Sequence, residues 1–464
     1  MDSDIMSMAE LSALIGARLI SFSSNSGFSS VAIDSRNAGE GCLFFALNGK
    51  SCDGHSFVNA AFNSGARGAV VESSKLDGFN LVNLAQKTGK ELIVVENTLK
   101  GLQDSARVYL EKFKNVIKVG ITGSSGKTTT KEIAAAIISC EKNTVMNEGN
   151  FNSETGLPLS VFKVRPHHEV GVFELGMNRK GEILEIANVL KPNIALITNI
   201  GTAHIENIGS RLNILNEKKC IFKFLNTGDS ALIPADDEYS NILADGVNAQ
   251  IKFYGTDFFG ELEQTRSLGL EGTEITWAGE KIRFALPGKH SLHDAMAAIA
   301  IAKEIPVGND AIKKGLEKVR PLFGRLEILK GRATVIRDCY NANPESAEKS
   351  VEFCNSLDRQ GRLVFVIGDM LELGEVSASA HAKLGEQLAE SRADRVFLFG
   401  KETAAAARVL ESKGKNVFRT ENIDELSFAL DSYVQKGDLV LLKGSRGCSL
   451  ERLSEMLTGV RDDS

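Results

Sequence analysis

The chain lacks any apolar run of the roughly 18 to 20 residues that a membrane-spanning helix requires, so insertion into a bilayer is not expected. It also lacks a pairing pattern of cysteines. The seven (Cys42, Cys52, Cys140, Cys220, Cys339, Cys354 and Cys448) are scattered, odd in number and without a CxxC spacing. That speaks for reduced thiols in a cytoplasmic protein and against a disulfide framework. An excess of positive charge is missing too: 54 Lys and Arg stand against 60 Asp and Glu, a net charge of −6. Such a balance exerts no general pull on nucleic acid or anionic membrane. The opening MDSDIMSMAE is acidic and has neither the basic start nor the apolar core of a secretory signal, which again implies the cytoplasm. No internal repeat or low-complexity segment stands out. What is there is ordinary for a globular protein, 43% hydrophobic and 25% charged, and 464 residues allow two to four domains.

Strand-like and helical runs alternate along the chain, which argues for parallel sheets covered by helices. LSALIGARLI, CLFFALNG, FVNAAFNSGARGAVV and LIVVEN predict a small α/β domain over residues 1–97. A second domain, 98–320, opens with the helical TLKGLQDSARVYLEKF and continues with strands IKVGIT, EVGVFELG and IALITNIG. After Asp229 the pieces shorten. SALIPA, QIKFYG, EITWA and KIRFALPG read as an antiparallel edge or subdomain before the helix HSLHDAMAAIAIAKEI. A third, Rossmann-like domain, 321–464, carries TVIRDCY, LVFVIGD, RVFLFG and DLVLLKGS. Glycines after these strands suit loops at the carboxyl ends of a parallel sheet, where ligands bind. The expected class is therefore α/β in three domains, the central one of P-loop type.

Residues 120–132, GITGSSGKTTTKE, form a glycine-rich loop between an apolar strand and a helix-forming stretch. Thr122, Gly123, Ser124, Ser125, Gly126, Lys127, Thr128 and Thr129 are the candidate phosphate binders. The glycines let backbone N–H groups approach phosphate oxygens, and the helix adds its positive end. Lys127 would reach the β- and γ-phosphates and the Thr128 hydroxyl would sit on Mg²⁺. The usual GxxxxGK[ST] loop wants glycine at 121, where this chain has Ile121. That departure, with the absence of an NKxD base reader, argues against a P-loop switch or motor. Downstream, Glu174 ends the strand EVGVFELG, and His204 sits in the loop NIGTAHIENIGS. Singly, Glu174 suits a buried ion pair as well as a metal site, and His204 an ordinary loop position. With Lys127 and Thr128 they supply ligands around one nucleotide, and Mg²⁺ needs only a few from protein.

TGSSGKTTTKE, GNFNSETGLPLS, FELGMNRKGEI and NIGTAHIENIGS together resemble the Mur ligase family, which builds the peptide stem of bacterial cell-wall precursors. The resemblance spans nearly the whole chain. DSRNAGEGCLFFALNGKSCDGHSFV (34–58) is similar to the family's uridine-nucleotide-binding N-terminal domain. LPGKHSLHDAMAAIAIA (286–302), FGR (323–325), DCYNANPES (338–346), VIGDMLELG (366–374) and LVLLKGSRG (439–447) follow in the family's order. Within the family, DCYNANPES and VIGDMLELG are similar to the member that adds the terminal dipeptide. The DNPR-type signature of the diaminopimelate-adding sister is missing, and the D-glutamate-adding sister lacks the N-terminal pattern.

The resemblance implies ATP-dependent joining of D-Ala-D-Ala to UDP-N-acetylmuramoyl-tripeptide through an acyl phosphate. The alternative is a sister ligase that adds a single amino acid. A non-catalytic sugar-nucleotide binder would leave Glu174, His204 and Lys218 without a role. By the same resemblance Lys127 stabilises the transferring phosphoryl, Thr128 and Glu174 hold one Mg²⁺, and His204 a second. Lys218, separated by two residues from the pair Ile221-Phe222, matches a lysine that CO₂ carbamylates into a further metal ligand; Lys219 is its neighbouring rival. His290 and Asp294 fall on the adenine side, with Asp294 where the family usually has Asn. Arg325 and Asp338 would reach phosphate and ribose. Ser35, Arg36, Lys50, Asp53 and His55 are candidates for the uridine nucleotide, and Asn152 and Thr155 for the substrate. Asn343, Ser445 and Arg446 are the candidates for the acceptor dipeptide. A monomer that binds small molecules and no nucleic acid is expected.

Overall fold

The computed structural model describes residues 4–22, 27–49 and 51–460. The middle of the chain forms a six-stranded sheet in the order Gln250–Tyr254, Ser230–Pro234, Ile194–Ile197, Ile117–Thr122, Val170–Glu174, Thr144–Met146. All of its pairings are parallel. The four inner strands, covered on both faces, read as near-continuous apolar runs rather than alternating ones, while the edge strand Gln250–Tyr254 is largely exposed. Helices Thr98–Leu110 and Glu182–Leu190 contribute to the core on one face, and Lys127–Ile138 and Lys289–Lys303 to the core on the other. From Ile117–Thr122 the chain crosses first to one side of the sheet and later to the other. The crevice at that switch lies beyond the carboxyl ends of its three middle strands. It therefore gathers the loops after Thr122, Glu174 and Ile197.

Before this sheet stands a five-stranded one, Arg18–Ile20, Glu91–Val95, Gly68–Glu72, Cys42–Phe45 and Ser30–Ala32, parallel except for its first strand. One apolar cluster runs from it, through Met8, Leu43 and Ile93, into the helix-covered face of the central sheet. After the central sheet comes a second six-stranded one: Glu327–Lys330, Thr334–Asp338, Leu439–Lys443, Leu363–Gly368, Arg395–Phe399 and Val417–Thr420. Its first two strands form an antiparallel hairpin and the rest are parallel. No helix among the described residues is long and apolar enough to cross a membrane.

The expectation of an antiparallel region after Asp229 needs correction for half of its strands. Ser230–Pro234 and Gln250–Tyr254 extend the central sheet in parallel, the first directly beside Ile194–Ile197. Helix Ser240–Ala244, part of the crossover between them, is too short to show a clear period. The antiparallel part is confined to Leu262–Ser267, Thr273–Trp277 and Glu280–Phe284. Its last hairpin turns on Ala278 and Gly279, both at positive φ (49° and 80°), as a two-residue hairpin twisted to match its strands demands.

The helix of the phosphate-loop candidate is held from behind by helix Asn309–Lys318. A Cβ at Gly315 would lie 2.3 Å from Ile137 Cα and 2.6 Å from Ile137 N, so the two backbones touch there. Gly315→Ala should force them apart at a cost of about 1–3 kcal/mol. A thermal melt followed by circular dichroism should show a lowered Tm; an unchanged Tm would refute the close packing.

Candidate active site

Strand Ile117–Thr122 runs into the loop 123–126, and helix Lys127–Ile138 follows. Gly123 has φ +153°, and a Cβ there would lie 1.8 Å from Thr198 Oγ1. Gly126 has φ +79°, and its Cβ would lie 2.2 Å from Asp294 Oδ1. Both glycines are thus imposed by neighbours as well as by the turn. The loop is pinned to the next strand end. Ser124 N–H donates to Asn199 O (3.0 Å), Ser125 N–H to Asn199 Oδ1 (3.1 Å), and the Thr198 hydroxyl to Ser125 O (2.6 Å). The Thr122 hydroxyl turns inward to Leu175 O (2.8 Å). Thr130 N–H makes the first helical bond, to Gly126 O. The amides of Lys127, Thr128 and Thr129 precede it and have no partner within the helix, which makes the loop and helix end a ready anion site.

Two amines converge beneath this loop. Lys127 Nζ and Lys218 Nζ both donate to Gly123 O, at 2.9 and 2.8 Å. Burial pulls the pKa of Lys127 below its ordinary value, with Glu174 opposing and Arg325 adding to the fall. Lys218, 1% exposed, lies well below its ordinary value because of burial first and the Lys127 charge second. Its helix, Arg211–Lys219, is fixed by the adjacent Glu217, which accepts from Gly181 N (2.8 Å) and Ile183 N (2.9 Å). Lys219 points elsewhere, to Ile242 O and Asp245 O, both at 2.6 Å.

Glu174, 2% exposed, ends the neighbouring strand. Its carboxylate accepts from the Thr128 hydroxyl (2.7 Å) and from Asn152 Nδ2 (2.6 Å). Arg325, from the chain beyond the central sheet, donates to the same Thr128 hydroxyl (3.0 Å) while stacking on Tyr340 (4.3 Å). Asn147 clasps the Glu174 backbone: its Oδ1 accepts from Glu174 N (2.9 Å) and its Nδ2 donates to Glu174 O (3.0 Å). Lys131, fully buried one turn beyond Lys127, donates to Asn147 O (2.6 Å) and ties this clasp to the loop's helix. Among the described residues no three His, Cys, Asp or Glu side chains surround a common point. A hydroxyl and a carboxylate side by side, at the edge of an anion site, are hard oxygen donors that suit Mg²⁺ sharing its shell with phosphate and water.

His204 lines the same cleft. Its Nδ1, however, stands 2.6 Å from Glu372 Oε2, and the contact lowers the pKa of the Glu372 carboxyl. The ring thus shares the cleft with Thr128 and Glu174, and its near partner is a carboxylate of the C-terminal sheet's loop. Both residues have left-handed backbones (φ 63° each), and Glu206 N–H donates to Glu372 O (3.1 Å). Nearby, Glu345 accepts from Thr202 N and Thr202 Oγ1, each at 3.0 Å. Arg325, Glu345 and Glu372 thus bridge the two six-stranded sheets across the cleft mouth.

His290, Asp294, Asp338, Tyr340, Lys349 and Lys443 also line the cleft. Burial drops the pKa of His290 to about 4 and raises that of Asp294 to about 7. Asp338 is committed within the protein, to Lys443 Nζ (3.0 Å), the Ser350 hydroxyl (2.6 Å) and Leu326 N (3.3 Å).

The other predicted substrate residues are less available than expected. His55, 1% exposed, accepts from Glu72 N at Nε2 (2.9 Å) and meets Asp53 at Nδ1 (2.6 Å). Asp53 also pairs with Lys75 (2.8 Å). With both ring nitrogens used, His55 is a structural residue, and its assignment to the uridine nucleotide is corrected. Ser35 and Arg36 share an exposed turn in which Arg36 pairs with Asp34 (2.5 Å). Lys50 lies outside the described residues. Asn152 serves Glu174, as above, and the Thr155 hydroxyl faces that of Ser153 (3.3 Å). Asn343 caps helix Pro344–Ser356 through a capping box with Ser346, a structural use. The Ser445 hydroxyl accepts from Leu371 N (2.9 Å), and Arg446 pairs with Glu451 (3.0 Å). Asn147, Lys131, Asn199, Glu345 and Glu372 were not anticipated. Of these, Asn199, Glu345 and Glu372 fall inside motifs quoted above without being singled out, and Lys131 is a lysine one turn along the face of Lys127.

Family models match the chain three times: "Mur ligase family, catalytic domain" at residues 28–110, "Mur ligase middle domain" at 121–302, and "Mur ligase, glutamate ligase domain" at 324–446. The UDP-N-acetylmuramoyl-tripeptide–D-alanyl-D-alanine ligase of Treponema pallidum is 39% identical over 98% of this chain and 99% of its own length. The Bacillus subtilis ligase of the same name is 36% identical over 91% and 92%. Among solved structures, MurF from Acinetobacter baumannii superposes with a TM-score of 0.87 at 28% identity, over 98% of this chain and 99% of that one. MurF of Thermotoga maritima in complex with ADP gives 0.77 at 28% identity, over 93% and 97%. The chain belongs to the Mur ligase family.

Proposed function

We propose that the chain is an ATP-dependent ligase that joins D-alanyl-D-alanine to UDP-N-acetylmuramoyl-tripeptide, giving ADP and phosphate. The observation that carries this reading is the meeting of Lys127, Lys218, Arg325, Thr128 and Glu174 at one phosphate loop, under a cleft closed by a second α/β sheet. The curated relatives share the dipeptide-adding name, so a sister ligase adding one amino acid is not favoured.

A carboxylate does not condense with an amine in water, because its oxygen is a poor leaving group. Transfer of the γ-phosphoryl of ATP to the tripeptide's carboxylate converts that oxygen into phosphate. The dipeptide's amine then adds to the carbonyl and phosphate departs. Little covalent chemistry falls to the protein; it positions the partners and neutralises charge. Lys127 and the amides at the helix start face the transferring phosphoryl. Arg325 brings a further positive charge from the other side of the cleft. Glu174 holds Thr128 by hydrogen bond, and Asn147 holds Glu174 in register.

Thr128 and Glu174 are the residues that would hold Mg²⁺, which when bound neutralises phosphate charge and polarises the oxygens it touches. Lys218 is suited to carbamylation, because its depressed pKa favours the free amine that adds CO₂ with loss of one proton. The product is an anion beneath Lys127, which would lower the mutual repulsion of the two amines. The reading is of a monomer that meets ATP and nucleotide-linked substrates in the cytoplasm.

Phosphate release from ATP plus UDP-N-acetylmuramoyl-tripeptide should depend on D-Ala-D-Ala and not respond to single amino acids. No release with the dipeptide would overturn the substrate reading. Lys127→Ala and Lys218→Ala should each lower kcat by about a hundredfold or more, as loss of a transition-state charge partner does. Added short carboxylates should partly restore Lys218→Ala alone. A well-folded Lys218→Ala protein with no such rescue would refute the carbamate.

A further inference from the structure

Lys131 is a fully buried lysine that the chemistry above leaves unused. Burying an ammonium is costly, and an apolar side chain of similar length would fill the space without that cost. What the charge holds is therefore informative. Its Nζ donates to Asn147 O (2.6 Å), with Glu132 Oε1 at 3.1 Å. Asn147, equally buried, follows the edge strand Thr144–Met146. The ladder between that strand and Val170–Glu174 ends at the pair Met146 and Val172, two residues short of Glu174. The Asn147 amide takes over from it, accepting from Glu174 N (2.9 Å) and donating to Glu174 O (3.0 Å) and Phe151 O (2.9 Å). The loop then returns to the same strand end. Asn152 Nδ2 donates to the Glu174 carboxylate (2.6 Å), and Gly176 N to Asn152 O (2.8 Å). Thr128 and Lys131, three residues apart, share one face of helix Lys127–Ile138. Thr128 grips the Glu174 carboxylate directly (2.7 Å), and Lys131 grips the Glu174 backbone through Asn147. Helix and strand end are thus joined at two points, in a closed ring of hydrogen bonds.

We propose that Lys131 is a positioning residue for the phosphate site: by anchoring Asn147 it fixes the Glu174 carboxylate beside the Thr128 hydroxyl, so that one small divalent ion meets both. The inference rests on the reading of Thr128 and Glu174 as the residues for Mg²⁺, and it names what sets their spacing. With one tie, the carboxylate would follow the Thr128 hydroxyl wherever side-chain rotation took it. With two, its backbone is referenced to the helix that carries the hydroxyl. Mg²⁺ requires near-ideal octahedral geometry, whereas Ca²⁺ accepts flexible surroundings. Loss of the lysine should therefore harm Mg²⁺ more than Ca²⁺. It should leave the phosphate-facing amides as they are, because those belong to the loop and the helix start.

The test is calorimetric titration of the full-length enzyme with ADP in Mg²⁺, in Ca²⁺ and in EDTA, for wild type and Lys131→Met. In Mg²⁺ the variant's Kd for ADP should rise about tenfold or more, the usual effect of removing a residue that orients a metal ligand. In EDTA the two proteins should bind ADP alike, and in Ca²⁺ the loss should be smaller than in Mg²⁺. Damage spread over the phosphate loop, the mark of a merely structural lysine, would weaken ADP equally in all three and overturn the proposal. A variant that binds ADP in Mg²⁺ as tightly as wild type would overturn it too. Should Lys131→Met not fold, Asn147→Ser, which removes the clasp and leaves the lysine in place, decides by the same three titrations. A wild type whose ADP affinity is the same in Mg²⁺ and in EDTA would overturn the metal reading itself, and this inference with it.

Discussion

One carbonyl oxygen, that of Gly123, organises the centre of this protein. It accepts from Lys127 and Lys218 together, and two amines brought to one oxygen in a buried setting feel each other's charge with little screening. The consequences are all of one kind. Burial first of all lowers the basicity of both amines, and the pocket above them favours a negative group. The oxygen can take this position only because Gly123 adopts a backbone that other residues avoid, pressed against the Thr198 hydroxyl. The sheet supplies the other half of the constraint. Its switch point brings the ends of three adjacent strands to the same level, so that loop, carboxylate and pinning asparagine meet without a long connection.

Much of this was legible in order along the chain. The loop stands in a short motif whose residue types point to phosphate, while Glu174 and Lys218 were given their roles by the family resemblance. The fold class followed from alternation of strand and helix, a signal that parallel sheets write plainly. Asp294 was visible as an oddity, a carboxylate where an amide is usual. Its burial was not, because that is a property of everything packed around it.

The rest was hidden because it depends on distance along the chain. Arg325 meets Thr128 across nearly 200 residues, and Glu345 meets Thr202 across 143. Asn147 lies in VMNEGN, where nothing distinguishes it from a loop asparagine until Glu174 is placed beside it. His55 misled for the opposite reason. The family resemblance offered it to the uridine nucleotide, yet the fold had already used both ring nitrogens. The strands after Asp229 were misjudged because short strands do not announce which neighbour they join.

The seam between the two six-stranded sheets bears on how such enzymes can be rebuilt. Each sheet has an apolar core of its own, which invites treating them as exchangeable modules. Yet Thr128, Thr202 and His204 each rest on a side chain from the other side: Arg325, Glu345 and Glu372. A chimera that imports a foreign C-terminal part for a new acceptor would fold both halves and still leave the phosphate loop's threonine unsupported. The graft must carry these three residues with it, or their partners must be redesigned to match. The smallest transplantable unit is therefore a domain together with the far wall of the seam.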